Sequence, residues 1–180
     1  AISKKALNAY KKATLPKSYW DWGEHIDSNS AGAFPYTPAT NLLFGLNEAI
    51  LMLKEEGLDH VFARHKRYAE ATRLAVQTWG LEVLCENEDD FSNTLTAVLL
   101  PDGHNADEFR SIVLDNFNMS LGNGLSRLAG KVFRIGHLGD FNDLMLVATL
   151  GGIEMGLSKS SIPHQIGGTQ AAMQFLKQGT

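Results

Sequence analysis

The chain has 180 residues, 44% of them hydrophobic and 20% charged, which is enough apolar mass for a core in one domain or one and a half. A formal net charge of -4 leaves no basic footprint for nucleic acid or an anionic membrane surface, and no apolar run approaches the roughly 20 residues a bilayer-spanning helix needs. The single cysteine, Cys85, excludes an internal disulfide and fits a reducing compartment, so a cytoplasmic protein is expected.

Residues 3–13 read as a basic amphipathic helix that starts without a signal-peptide pattern, as though entered partway through a longer protein. The following stretch, TLPKSYWDWGEHIDSNSAGAFPYTPATN, is rich in Trp, Tyr, Phe, Pro and Gly without periodicity and predicts a long irregular segment. Thr40 or Asn41 is placed to cap NLLFGLNEAILMLKEEG, with Leu42, Leu46, Ala49, Ile50 and Leu53 on one face and Gly57 as its stop. A longer helix follows in LDHVFARHKRYAEATRLAVQTWG, ended by Gly80. The pattern then changes to period two: LEVLCE and NTLTAVLLP read as strands, the second closed by Pro101, Asp102 and Gly103. Asn105 with Glu108 makes a capping-box start for a helix through Phe117. The glycine-rich NMSLGNGLSRLAG leads to the strand GKVFRIGHLGD, Asp140 with Asp143 opens a helix over DLMLVATLGGIEMGL, and TQAAMQFLKQ forms a last short one. From Leu81 onward this predicts an α+β unit, an antiparallel sheet with helices on one side.

Few residues carry chemistry. None of the six histidines stands at i, i+4 from another, and with one cysteine no zinc spacing exists. GNGLSRLAGK precedes a strand and lacks both phosphate-loop signatures, so it reads as a turn. No serine sits in a nucleophile-elbow context, and Cys85 is expected inert in its strand. Arg134 is the exception. Alternation puts it on one face with Val132 and Gly136, opposite Phe133 and Ile135. A guanidinium among apolar strand residues needs an anion, either a structural carboxylate or a small carboxylate ligand gripped by its planar fork.

Three separated stretches, GKVFRIGHLGD, FPYTPATNLLFGLNEAI and EEGLDHVFARHKRYAEATR, together resemble the C-terminal half of class V aminotransferases, pyridoxal-phosphate enzymes of fold type I. SYWDW and GHLGDFNDLM look most like the bacterial serine–glyoxylate branch. The resemblance implies a domain division: residues 1–55 as the tail of a large cofactor-binding domain, and residues 56–180 as the small α+β domain with its connecting helix. It implies that Arg134 binds the substrate α-carboxylate and that Thr37 reaches the cofactor phosphate of a partner subunit in a homodimer. Many relatives carry a phosphate-touching tyrosine where this chain has Phe34, which donates no hydrogen bond, so Phe34 is only a weak counterpart.

The Schiff-base lysine of the family falls upstream of Ala1, and Lys4 and Lys5 lack its context. No catalytic residue is therefore assigned within this chain, which is expected to be inactive alone. The implied parent is a transaminase using pyridoxal 5'-phosphate, with serine or alanine as donor and glyoxylate as acceptor, and with no nucleic-acid or membrane partner. The alternative is a non-catalytic module that binds small carboxylates or only dimerises. The first segment is also expected to expose apolar surface at Tyr19, Trp20, Trp22 and Phe34.

Overall fold

The computed structural model describes residues 2–178, and its buried side chains begin at Val61. The chain forms two compact units, one ending at Met52 and the other starting at Leu53.

In the first unit, α1 (Lys4–Tyr10) is capped by Ser3, whose hydroxyl accepts the Ala6 N–H. The segment expected to be irregular contains a helix, α2 (Trp22–Ser30). Asp21 caps it, accepting the N–H groups of Gly23 and Glu24, and Glu24 in the first turn complements the helix dipole. The Tyr10 hydroxyl donates to Asp21 Oδ1 at 2.6 Å, and its ring stacks on Trp22 with centroids 5.6 Å apart. Trp22 is half-buried by that stacking, whereas Tyr19, Trp20 and Phe34 are exposed as expected. Thr40 is the first residue of α3 (Thr40–Glu56) rather than its cap. No side chain of α3 is buried, so the apolar face read from its sequence has no cover.

The second unit is built on α4 (Leu58–Thr78), which buries Val61, Tyr68, Ala69, Ala75 and Val76. Leu58 and Phe62, in its first turns, are exposed. Strand β1 is only Glu82–Val83, so Cys85 lies beyond it, half-buried, its thiol donating to the Asn87 carbonyl. β2 (Leu95–Leu99), β3 (Gly122–Asn123) and β4 (Val132–Gly136) complete an antiparallel sheet in the order β1-β2-β4-β3. β3, inside the glycine-rich stretch, is an element the sequence did not announce. Between the strands, α5 (Ala106–Phe117) starts at Asn105, which accepts from Asp107 and Glu108 as expected.

α6 (Asp143–Lys159) is capped by Asn142, whose side-chain Oδ1 accepts the Met145 N–H; Asp140 lies outside it. The correction has a physical reason, because Asp143 is engaged elsewhere: it takes two N–H bonds from Arg67 and one O–H from Tyr68. α7 (Gly168–Lys177) closes the fold against α4 and α6.

Register decides which sheet face is covered. Val98 opposes Phe133 and Thr96 opposes Ile135, all four buried in the helix-covered core with Trp79, Phe109 and Leu150. The opposite face carries Leu95, Ala97, Leu99, Gly122, Arg134 and Gly136, none of them buried, with Val132 buried at its end. Helices therefore cover one side of the sheet, as the pattern predicts.

Candidate active site

Arg134 stands at the centre of that open face, with Ala97 beside it on β2 and Gly122 beside it on β3. It is not in the core, which is how the strand accommodates it. Gly122 is required there: a Cβ would lie 2.9 Å from Arg134 Cβ and 3.1 Å from its Nε.

Arg134 differs from the other half-buried arginines; Arg127, also without a side-chain partner among the described residues, is exposed to solvent. Arg64 grips Glu56, Arg67 grips Asp143, Arg110 reaches Asp107 and the Leu121 carbonyl, and Arg73 reaches the Ser92 carbonyl over the Phe91 ring. Arg134 is half-buried and pairs with no carboxylate among the described residues; its Nε, like that of Arg67, is buried without a hydrogen-bond partner. Unlike Arg67, its terminal N–H groups have no carboxylate of the chain to meet, so they are left to an acceptor from outside it. The arrangement therefore suits binding of a small anion on the open sheet face.

The end of Arg134's strand is held with care. His137 is buried, its N–H donates to the Thr94 carbonyl, and its Nε2 lies 2.9 Å from Thr96 Oγ1. Burial, reinforced by the nearby Arg73 charge, pushes its pKa down to about 4, so it is neutral. Beyond it, Gly139 donates its N–H to His65 Nε2, and the carbonyls of Gly139 and Phe141 accept from Arg64 Nη1. The first and third sequence stretches singled out above thus meet, across 74 to 77 residues. Sequence reasoning missed Arg64 and His65 as members of this neighbourhood; their spacing on α4 marks them only as neighbours on one helix.

A second polar centre is structural. Glu154 accepts from the Gly167 N–H, the Thr169 N–H and the Trp79 indole, supplying the cap that Gly167 cannot give α7. Burial alone would raise its pKa, but those donors outweigh it and hold the carboxyl near 2.

The other residues singled out by sequence lie in the first unit, apart from Arg134. Thr37 and Phe34 are both exposed, and the Thr37 hydroxyl makes no hydrogen bond among the described residues. Lys4 and Lys5 are exposed on α1. Among the described residues no group of three His, Cys, Asp or Glu side chains gathers to hold a metal, and no helix is long and apolar enough to cross a membrane.

The α+β architecture is that of the C-terminal domain of aminotransferases. The solved pyridoxamine–pyruvate aminotransferase from Mesorhizobium loti matches with a TM-score of 0.85 at 27% identity, over 98% of this chain and 46% of that one. The sequence is 43% identical over 177 residues to serine–glyoxylate aminotransferase of Arabidopsis thaliana. It is 37% identical over 180 residues to L-aspartate–glyoxylate aminotransferase of Paracoccus denitrificans. These alignments take in 97% and 99% of the chain but 44% and 46% of the relatives, so the chain spans about half their length. No protein-family model matches. The chain belongs to the class V aminotransferases and corresponds to the C-terminal part of such an enzyme.

Proposed function

We propose that this chain supplies the substrate-carboxylate subsite of a pyridoxal-phosphate-dependent transaminase that passes an amino group from serine, or a close amino acid, to glyoxylate. The observation that carries the reading is Arg134: a half-buried guanidinium on an uncovered sheet face, with no carboxylate among the described residues offered to it. A planar fork matches a carboxylate with two parallel hydrogen bonds, and an α-carboxylate held that way orients the bond to the α-proton. Glycine at positions 122 and 136 keeps side chains off the face on either side. Relatives named for serine and for aspartate support an amino-acid donor without choosing between them.

The cofactor, when bound, supplies the electron sink for loss of the α-proton. The residues present fit a share in holding it. The exposed Thr37 hydroxyl, with no hydrogen bond among the described residues, is available to donate to a phosphate oxygen, and in this reading the phosphate belongs to the partner subunit of a homodimer. Phe34 cannot donate such a bond. The exposed Lys4 and Lys5 are given no covalent role in this reading. One unpaired cysteine, Cys85, fits a cytoplasmic enzyme.

The test is Arg134→Ala in the full-length enzyme. Loss of a charge-assisted, bidentate contact should raise KM for serine and for glyoxylate about 100-fold. Arg134→Lys should recover little of it, because a point charge lacks the fork. Unchanged KM values in either variant would overturn the assignment.

A further inference from the structure

Loop 137–141, which carries the chain out of β4, is held by α4 through its backbone groups and through the Phe141 ring, which packs edge-on against Tyr68 with centroids 6.0 Å apart. Arg64 Nη1 donates to the Gly139 carbonyl at 2.9 Å and to the Phe141 carbonyl at 3.2 Å. Its Nε and Nη2 are occupied by Glu56 at 2.6 and 2.7 Å, so the guanidinium is locked in one orientation. Glu56 in turn is held below the usual carboxylate range by the Arg64 hydrogen bonds. His65 adds a third contact: its Nε2 accepts the Gly139 N–H, which leaves the Nδ1 proton to be donated to the Val61 carbonyl at 2.7 Å. Both backbone groups of Gly139 are thus engaged by consecutive residues of α4.

This grip has a consequence on the sheet face. Leu138 lies between the His137 anchor and Gly139, and it is exposed. Its Cδ2 comes within 3.4 Å of the position a Cβ would take on Gly136, and that position points to the same face as Arg134. Leu138 therefore overhangs the gap that Gly136 leaves next to the guanidinium. The β2–β4 pairing ends with the His137 N–H on the Thr94 carbonyl, so Leu138 lies just beyond it.

We infer that Arg64 is a positioning residue for the carboxylate site: through the Gly139 and Phe141 carbonyls it fixes Leu138 as the apolar wall beside Arg134. The inference rests on the carboxylate reading of Arg134. Arg64 itself touches no substrate. It sets how closely a small acid is enclosed against the guanidinium, and so its loss acts on binding more than on turnover.

The experiment is a double-mutant cycle between Arg64 and Arg134 in the full-length enzyme, read as kcat/KM for serine. It is paired with the dissociation constant of glycolate, a small carboxylate that has no amino or oxo group to transfer. Arg64→Ala should raise KM and weaken glycolate about tenfold while kcat stays within about twofold, and should have an effect of about twofold or less once Arg134 is alanine. Arg64→Lys keeps a charge for Glu56 but cannot serve the carboxylate and both carbonyls together, so a loss in the same direction is expected. That variant decides the matter if Arg64→Ala does not fold. Unchanged glycolate binding, or an equal loss in both Arg134 backgrounds, would overturn the positioning role and leave the reading of Arg134 standing. If Arg134→Ala alone changes nothing, that reading falls, and this inference with it.

Discussion

The two units use their apolar residues in opposite ways. From Leu53 onward the chain gathers Trp79, Phe109, Phe133, Leu146 and Leu150 into one core, each excluded from solvent. Up to Met52 no described residue is buried, although α3 alone presents Leu42, Leu43, Phe44, Leu46, Ile50 and Leu51. Helix formation and core formation are therefore separable. α1 and α2 carry the Ser3 and Asp21 caps and the Tyr10–Trp22 stack but have no buried residue, while α4 to α7 share one core. The apolar residues of α3 lie uncovered, and the chain spans about half the length of the relatives it matches.

The largest expected effect tests this division with one residue type. Trp79 is 0% exposed and its indole donates to Glu154, so Trp79→Ala opens a cavity and strips a carboxylate of a donor. A loss of about 3–5 kcal/mol is expected in urea unfolding of the second unit. Trp20 is 76% exposed, and Trp20→Ala should stay within about 0.5 kcal/mol. Comparable losses for the two would mean that burial does not distinguish the units.

Acid should act on the second unit through His137. Its pKa is depressed from 6.5 to about 4, so the unfolded chain binds a proton that the folded one refuses. Stability present above pH 6.5 is then lost as pH falls toward 4, by about 3 kcal/mol in all, and is flat below that. His137→Gln should keep a partner for Thr96 and abolish that slope. Glu154 contributes in a separate and lower window, since its carboxyl near 2 stays ionised until pH falls well below 4.5. A slope between pH 4 and 6.5 that survives His137→Gln would assign it to another group.

What was legible follows the same division between local signals and contacts at a distance. Gly57 and Gly80 as helix boundaries, Asn105 as a cap and the alternation through β4 are written within a few neighbouring residues, and each is found where it was expected. α2 was hidden by its composition, since Trp22, Gly23 and Ser28 have weak helix propensity; the Asp21-to-Glu24 spacing was the usable signal. β3 has only Gly122 and Asn123, and nothing but pairing with β4 defines it. In GDFND three side chains are able to cap α6, and the choice of Asn142 depends on Arg67 claiming Asp143 from 76 residues away. For the candidate site, the open face around Arg134 was readable from strand period, whereas its hold through Arg64 and His65 was not, being set by tertiary packing.

The smallest expected effect concerns the first unit, whose exposed side chains have little duty within the chain. Phe34 is 54% exposed and Thr37 has no hydrogen bond among the described residues, so changing either should leave the urea midpoint unmoved. If Thr37 faces a cofactor phosphate, as proposed, and Phe34 lies within reach of it, substitutions of opposite chemistry should move cofactor affinity in opposite directions. Phe34→Tyr adds an O–H donor and should tighten pyridoxal phosphate in the full-length apoenzyme by about 1 kcal/mol, roughly fivefold. Thr37→Val removes one and should weaken binding by at least as much, since a hydrogen bond to a charged acceptor is the stronger kind. A Thr37 effect without a Phe34→Tyr effect would place only the threonine against the phosphate. No effect from either would detach both from the cofactor and leave Arg134 as the chain's single contribution to chemistry.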